Sequence, residues 1–555
     1  MSIETGRQLD THDYLSDDPL PFYPILSLEE LKLEDGTFPD LEHLLPLDVR
    51  TQLDTSEIVV HIATPNLRSR SGPRSTIAEM IRLSHAPSSS EIGYHGGPIA
   101  SIADEINEAI AALRRFEVLH GRDAERMALD VSDYYPKLLE TTLLELAETQ
   151  GVVDEAYEPG IPFRQEEKGR IILLARDPDD PIGKKFSDRL GWGTPFYGSI
   201  DATPTFISAI KLLSDSDPTF LQKSYIGRDE QQHTMKEALD NSLVWLINKL
   251  DETPDGLLEF KNTADSGGMD AQAWKDSSFA YLHANGSRAN HRDGIASVEV
   301  QALAYDALLD AADIHRPSNP DLAFELEVRA EQLRKKIIDV FWIEDDPGKG
   351  SYFALATDHD PDSSELRPLK VRSSNMGRLL NSRLLERDDT ATRHMRDTTV
   401  EQLFDKPLLK YSGIATLASD EVGFREGGYH TGSVWLWDTL YIADGLERHG
   451  FDDLAWNLRA RVLNVANQTG SFPEFVRGAS GNAIEMNPSD IYVYNQEHDI
   501  LYLFEQVPQE IQGWTVSGLL RAKRKWPAYT SRAERSPSPL EARILSQILP
   551  TSHFR

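Results

Sequence analysis

The chain has 555 residues, 40% hydrophobic and 26% charged, the make-up of a globular protein with between one large domain and three. Ninety acidic against 57 basic residues leave a formal net charge of -33, which opposes tight binding to nucleic-acid phosphates or an anionic membrane and suits a neutral substrate. The absence of cysteine excludes disulfides, Cys-ligated zinc, iron–sulfur clusters and thiol nucleophiles; with no leader-like start and no run of about 18 apolar residues, the expected location is the cytoplasm.

Residues 1–95 are rich in Pro, Ser, Asp and Glu and read as an irregular extension or cap, with SGPRST and SHAPSSS as loops. From residue 96 the texture changes. ASIADEINEAIAALRRFEVLHG and YYPKLLETTLLELAETQG repeat apolar residues at helical spacing. So do stretches over 204–215, 231–250, 297–314, 321–341, 390–404, 433–449, 452–468 and 513–524. Short turns alternate with long polar loops that hold the Trp, Gly, Asp and His clusters. No repeat of fixed length occurs. The pattern therefore predicts an all-α, closed ring of helical hairpins over 96–530, long loops gathered at one end, and a tail over 531–555.

The first such loop, GWGTPFYGSIDATPTFI, offers Trp192, Tyr197 and Asp201 to a polar ligand. Asp201 or Thr203 would equally serve as a cap, with Pro204 opening the next helix. The second, GGMDAQAWKDSS from Gly267 to Ser278, sets Asp276 directly after Trp274 and Lys275. A Trp face stacks on the apolar side of a pyranose, a Lys bonds its hydroxyls, and a partly desolvated Asp has the raised pKa of a general acid. The plain alternative is a solvated loop aspartate.

Ser297 then opens a helix with Glu299 and Gln301 near its start, as ordinary helix-start chemistry requires. In LKVRSSNMGRLLNS, Arg372, Ser374 and Asn375 read as groups that satisfy a loop. GFREGGYHTGSVWLWD brings His430, Gly432, Ser433, Trp435, Trp437 and Asp438 to one loop-to-helix junction. His430 and Asp438 lack further ligands at metal spacing, so neither a metal nor another cofactor is expected. GSFPEFVRG supplies Glu474 as a second carboxylate, with Glu426 in reserve. Two carboxylates about 6.5 to 9.5 Å apart are what hydrolysis of a glycoside with inversion demands.

The succession FYGSIDATPTF, GMDAQAWKDS, GIASVEVQALAYDA, SSNMGRLL, YHTGSVWLWD, FPEF and QGWTVSG, over about residues 165 to 525, resembles the amylo-alpha-1,6-glucosidase (glycogen-debranching) family and its six-hairpin glycosidase relatives. The resemblance implies an (α/α)6 barrel and an inverting α-glycosidase with Asp276 as general acid and Glu474 as general base. It further implies that Tyr197, Asp201, Trp274, Lys275, His430, Gly432 and Trp435 line the sugar pocket. The chain departs from the family at Asp270-Ala271-Gln272-Ala273-Trp274, where Asn-Gln-Gly-Trp-Lys-Asp is usual, and at Trp435-Leu436-Trp437-Asp438, where Trp-Pro-His-Asp is usual. The expected substrate is a terminal α-glucosidic bond, α-1,6 included, in an oligosaccharide or small glycoside. Glucosylglycerate or mannosylglycerate is the alternative within that chemistry. A sugar-binding barrel without cleavage, and a lyase or epimerase on the same architecture, are the alternatives outside it.

Overall fold

The computed structural model describes residues 118–548, except 134–135, 159–160, 162, 177–191, 262–268, 278, 470, 478–488, 496–499, 507, 509–511 and 532–535. The extension over 1–95 and most of the first predicted helix lie outside the described residues. The end of that predicted helix is a strand, Val118–His120, paired antiparallel with Leu174–Arg176. Gly121 marks the change from strand to helix. Its N–H donates to Leu173 O at 2.9 Å, and a Cβ there would fall 2.0 Å from Ile172 O, so only glycine lets the two segments lie this close.

Twelve helices occur among the described residues. In chain order they are α1 (Gly121–Asp130), α2 (Pro136–Glu148), α3 (Ala202–Ser216), α4 (Met235–Glu252), α5 (Val298–His315) and α6 (Pro320–Phe341). Then come the single turn α7 (Asn375–Arg378), α8 (Thr390–Phe404), α9 (Leu436–Arg448), α10 (Asp452–Thr469), α11 (Gly513–Ser531) and α12 (Pro539–Ile548). The predicted segments from 204 onward all appear. The last runs on to Ser531, and the expected tail contains α12, which buries Ile544 and Leu545. Glu541 of α12 accepts from Asp453 N at 2.8 Å and Leu454 N at 3.1 Å, satisfying orphan donors at the start of α10.

Packing follows a circuit. α1 packs on α3, α3 on α5, α5 on α7, α7 on α9, α9 on α11, and α11 returns to α1. The intervening helices lie against this set: α2 on α1 and α3, α4 on α3 and α5, α6 on α5, α8 on α7, and α10 on α9 and α11. The two sets start differently. Helices α4, α6 and α8 are capped by their own side chains: Thr234 accepts from Glu237 N at 3.3 Å, Asn319 from Leu322 N at 3.2 Å, and Asp389 from Thr392 N at 2.8 Å. No N-cap side chain serves α1, α3, α5, α7 or α9. The capping roles expected of Asp201, Thr203 and Ser297 are therefore not the observed ones. Thr203 accepts from Ile171 N at 2.9 Å, and Ser297 bonds the carboxylate of Glu299. Asp201 and Ser297 thus turn to other side chains, Asp201 accepting from Ser199 Oγ at 2.7 Å, and leave the first turn of their own helices uncapped.

The fold is helix-rich without being purely helical. The long loops entering the inner helices pair briefly with their neighbours, as buried backbone groups must. Ile295–Ser297, Ala356–His359 and Leu366–Leu369 form a three-stranded antiparallel sheet. Val434–Trp435 pairs with Phe475–Val476, which fixes the Glu474 loop beside the entry to α9. No helix among the described residues is long and apolar enough to cross a membrane.

Candidate active site

The first turns of the inner helices converge. Arg122, the second residue of α1, is the hub: its guanidinium lies 3.5 Å from Asp123, 3.3 Å from Asp201 and 3.5 Å from Asp276. Burial opposes the Arg122 charge, but Asp201, Asp123 and Asp276 outweigh it and raise its pKa. Asp123 is pushed up to about 6, by burial first, with Arg122 opposing and Asp276 and Asp201 adding to the rise. Glu125, fully buried on the same helix, is raised well above the carboxylate range by burial and by Asp201. Burial thus raises both Asp123 and Glu125 despite the Arg122 cation beside them. The Asp276 side chain is 24% exposed against 3% for Asp201, so Asp276 is the one a solute reaches.

Glu474 is buried, and its Oε1 accepts from the Tyr429 hydroxyl at 3.1 Å. Burial raises the Tyr429 pKa, and then Glu474 and Asp276 raise it further. One phenol thus senses both predicted carboxylates. A second link joins their loops, because Ser277 Oγ lies 2.8 Å from His430 Nδ1.

Behind these groups stands an aromatic wall. Trp274 meets Trp435, Trp437 and His430 edge to face, with centroids 5.9, 5.2 and 5.6 Å away. Trp437 stacks on Trp514 of α11 at 4.6 Å, and Trp435 Nε1 donates to Tyr429 O at 2.7 Å. Trp274 is only 1% exposed and carries the Arg378 guanidinium over its ring at 5.5 Å, so it forms the floor of this cluster where an open stacking platform was expected.

Lys275 likewise departs from expectation. Its amine donates to Thr416 O at 2.6 Å, and the residue is 1% exposed. Burial pushes its pKa down to about 7, against the pull of Asp438 and Glu299 and together with the push of Arg378. In the unfolded chain the amine titrates near the ordinary lysine value of 10.5. Between about pH 7 and pH 10 the unfolded state therefore binds the extra proton, and this residue makes stability rise with pH across that window. Lys275→Met is expected to flatten the rise by a few kcal/mol, read from urea midpoints taken at intervals across the range.

Five further residues singled out in the sequence are placed elsewhere or otherwise. Tyr197 is buried in the core; its hydroxyl donates to Thr149 O and accepts from Arg228, both at 2.7 Å, and so is spent on the loops around α2. Trp192 stacks on Phe196. Gly432 supplies no side chain, but its N–H donates to Thr416 Oγ1 at 3.0 Å and a Cβ there would fall 1.9 Å from Arg425 O. Gly432→Ala is expected to destabilise by about 1–3 kcal/mol, visible as a lower thermal midpoint. Glu426, the reserve base, is exposed and acts on Lys410. Glu299, read from the sequence as ordinary helix-start chemistry, is buried, accepts from Asn375 at 2.8 Å, and is raised in pKa by burial.

Sequence reasoning missed Arg122, Asp123, Glu125, Arg378, Tyr429 and Trp514. Arg378, Tyr429 and Trp514 lay in blocks already singled out, and the three from α1 did not. GRDAERMALD falls between the first two predicted helices, and nothing in its spacing reveals that its charged face points inward.

The model of the mannosylglycerate hydrolase MGH1-like glycoside hydrolase domain matches residues 203–489, a span that contains both Asp276 and Glu474. The protein is a glycoside hydrolase. The chain belongs to the mannosylglycerate hydrolase MGH1-like family. Among solved structures it is similar to a GH63 mannosylglycerate hydrolase from Thermus thermophilus in complex with Tris, at 15% identity and a TM-score of 0.48, covering 74% of this chain and 94% of that one. It is also similar to an uncharacterized conserved protein from the same organism, at 15% identity and a TM-score of 0.44, covering 74% and 93%. No curated protein matches the chain.

Proposed function

We propose that the protein is an inverting hydrolase of a short α-glycoside of the mannosylglycerate or glucosylglycerate type, with Asp276 as general acid and Glu474 as general base. The observation that supports this is that one loop touches the neighbourhoods of both carboxylates, far apart in the chain: Ser277, next to Asp276, lies 2.8 Å from His430, and the adjacent Tyr429 donates to Glu474 at 3.1 Å. The closed circuit of six helices, backed by a second set, supports an (α/α)6 barrel as the scaffold. The family membership favours a small glycoside over the α-1,6-glucosidic bond that the sequence resemblance put first. A surplus of acidic residues repels polyanions, while a glycoside with one carboxylate is only weakly repelled at physiological salt.

In the proposed reaction Glu474 takes a proton from a water on the face of the sugar opposite the aglycone. The water oxygen bonds to the anomeric carbon as the bond to the aglycone oxygen breaks, and Asp276 gives its proton to that oxygen. Arg122 lies between Asp276 and the buried Asp123 and Asp201, which holds the carboxyl of the acid in place. Free-sugar release by wild type across mannosylglycerate, glucosylglycerate, isomaltose, panose, limit dextrin, trehalose and kojibiose tests the reading. A kcat/KM at least about 10²-fold higher on a glycosylglycerate than on any glucan is expected. A preference for isomaltose or panose would return the α-1,6-glucosidase reading.

A further inference from the structure

We infer that Lys275 is a positioning residue for the acid–base pair: its buried amine ties the segment that carries Asp276 to Thr416, and through the 429–433 loop to the hydroxyl that holds Glu474. This rests on the proposed roles of the two carboxylates. The links run in sequence. Lys275 Nζ donates to Thr416 O at 2.6 Å. Thr416 N and Oγ1 both donate to Ser433 O, at 2.9 and 3.0 Å, and Gly432 N donates back to Thr416 Oγ1 at 3.0 Å. Ser433 Oγ donates to Tyr429 O, and the Tyr429 hydroxyl donates to Glu474 at 3.1 Å. On the far side of Asp276, Ser277 meets His430 of the same loop. The acid is thus pinned on both sides to the loop that orients the base.

Two features favour this over a sugar-binding lysine. The amine is directed at a main-chain carbonyl, and the residue is 1% exposed. Inversion also needs a fixed gap between the carboxylates, wide enough for one water, and a shift of about 1 Å at a reacting group costs up to about 10²-fold in rate. Glu474 keeps a second anchor, the pairing of Phe475 with Trp435, which Lys275 does not touch. Loss of the amine therefore loosens the acid more than the base.

The test compares wild type, Lys275→Met and Asp276→Asn on two substrates with the same sugar: a glycosylglycerate, whose leaving oxygen needs a proton, and a 2,4-dinitrophenyl α-glycoside, whose leaving group needs none. For Lys275→Met, kcat should fall about 10- to 100-fold on the first and less than about 5-fold on the second, with KM within about twofold on both. Because the chain has no cysteine, Lys275→Cys can be aminoethylated in urea and refolded, which restores a lysine-like amine at this position alone. The modified protein should regain kcat on the glycosylglycerate; this pair also carries the comparison if Lys275→Met does not fold. Equal losses on both substrates with a raised KM would make Lys275 a sugar ligand and overturn the inference, as would an unchanged kcat. A wild type that cleaves neither substrate, or an Asp276→Asn protein indifferent to the leaving group, would overturn the underlying reading and the inference with it.

Discussion

Asp276→Asn should lower kcat on a glycosylglycerate by about 10²–10⁴-fold and leave KM within about threefold. The amide keeps the shape of the carboxyl and most of its contact with Arg122, so folding should survive, with a thermal midpoint close to that of wild type. Only the proton is lost. The diagnostic is the leaving group. With a 2,4-dinitrophenyl glycoside the departing oxygen is stable as an anion, and the variant should recover most of the wild-type rate. Its pH profile should also lose the alkaline limb, because that limb reports the protonated acid in the cluster around Arg122. Retention of near-normal turnover on the glycosylglycerate would remove Asp276 from the mechanism.

Glu474→Ala should cost as much on either substrate, because water needs a base whatever the leaving group. The substitution also vacates space beside Tyr429, whose hydroxyl donates to the carboxylate in the native protein. Azide needs no deprotonation and is small enough to enter there. It should restore turnover by attack on the face opposite the aglycone, yielding a β-glycosyl azide. Azide rescue that gives the α-azide, or a loss of activity that spares the dinitrophenyl substrate, would assign Glu474 another role.

The helices were legible wherever apolar residues recur at helical spacing. From Ala202 to the start of α11 the predicted segments differ from the observed ones mainly at their ends. The inner helix α1 was missed because its inward face is charged: Arg122, Asp123 and Glu125 are buried there, and a periodicity argument follows apolar residues. Capping logic failed at the same place for a related reason. Thr234, Asn319 and Asp389 cap helices away from the site, as their types suggest, whereas Asp201 and Ser297 bond other side chains at its edge. The loop motifs marked Asp276, Glu474, Trp274 and His430, and the fold brings these into one neighbourhood. Direction was beyond the motif. Tyr197 and Lys275 belong to the same blocks, yet one faces the core beside Thr149 and the other a buried carbonyl at Thr416. Residue type and spacing do not encode which side of a loop faces the ligand.

The central claim is hydrolysis with inversion by two carboxylates, and the configuration of the first sugar released tests it most directly. Wild-type protein mixed with a glycosylglycerate and followed by proton NMR within the first minutes, before the free sugar equilibrates, should show the β-anomer appearing first and the α-anomer growing in later. Appearance of the α-anomer first would mean retention, and with it a nucleophile in place of the Glu474 base and an account of this site that is wrong at its chemical core.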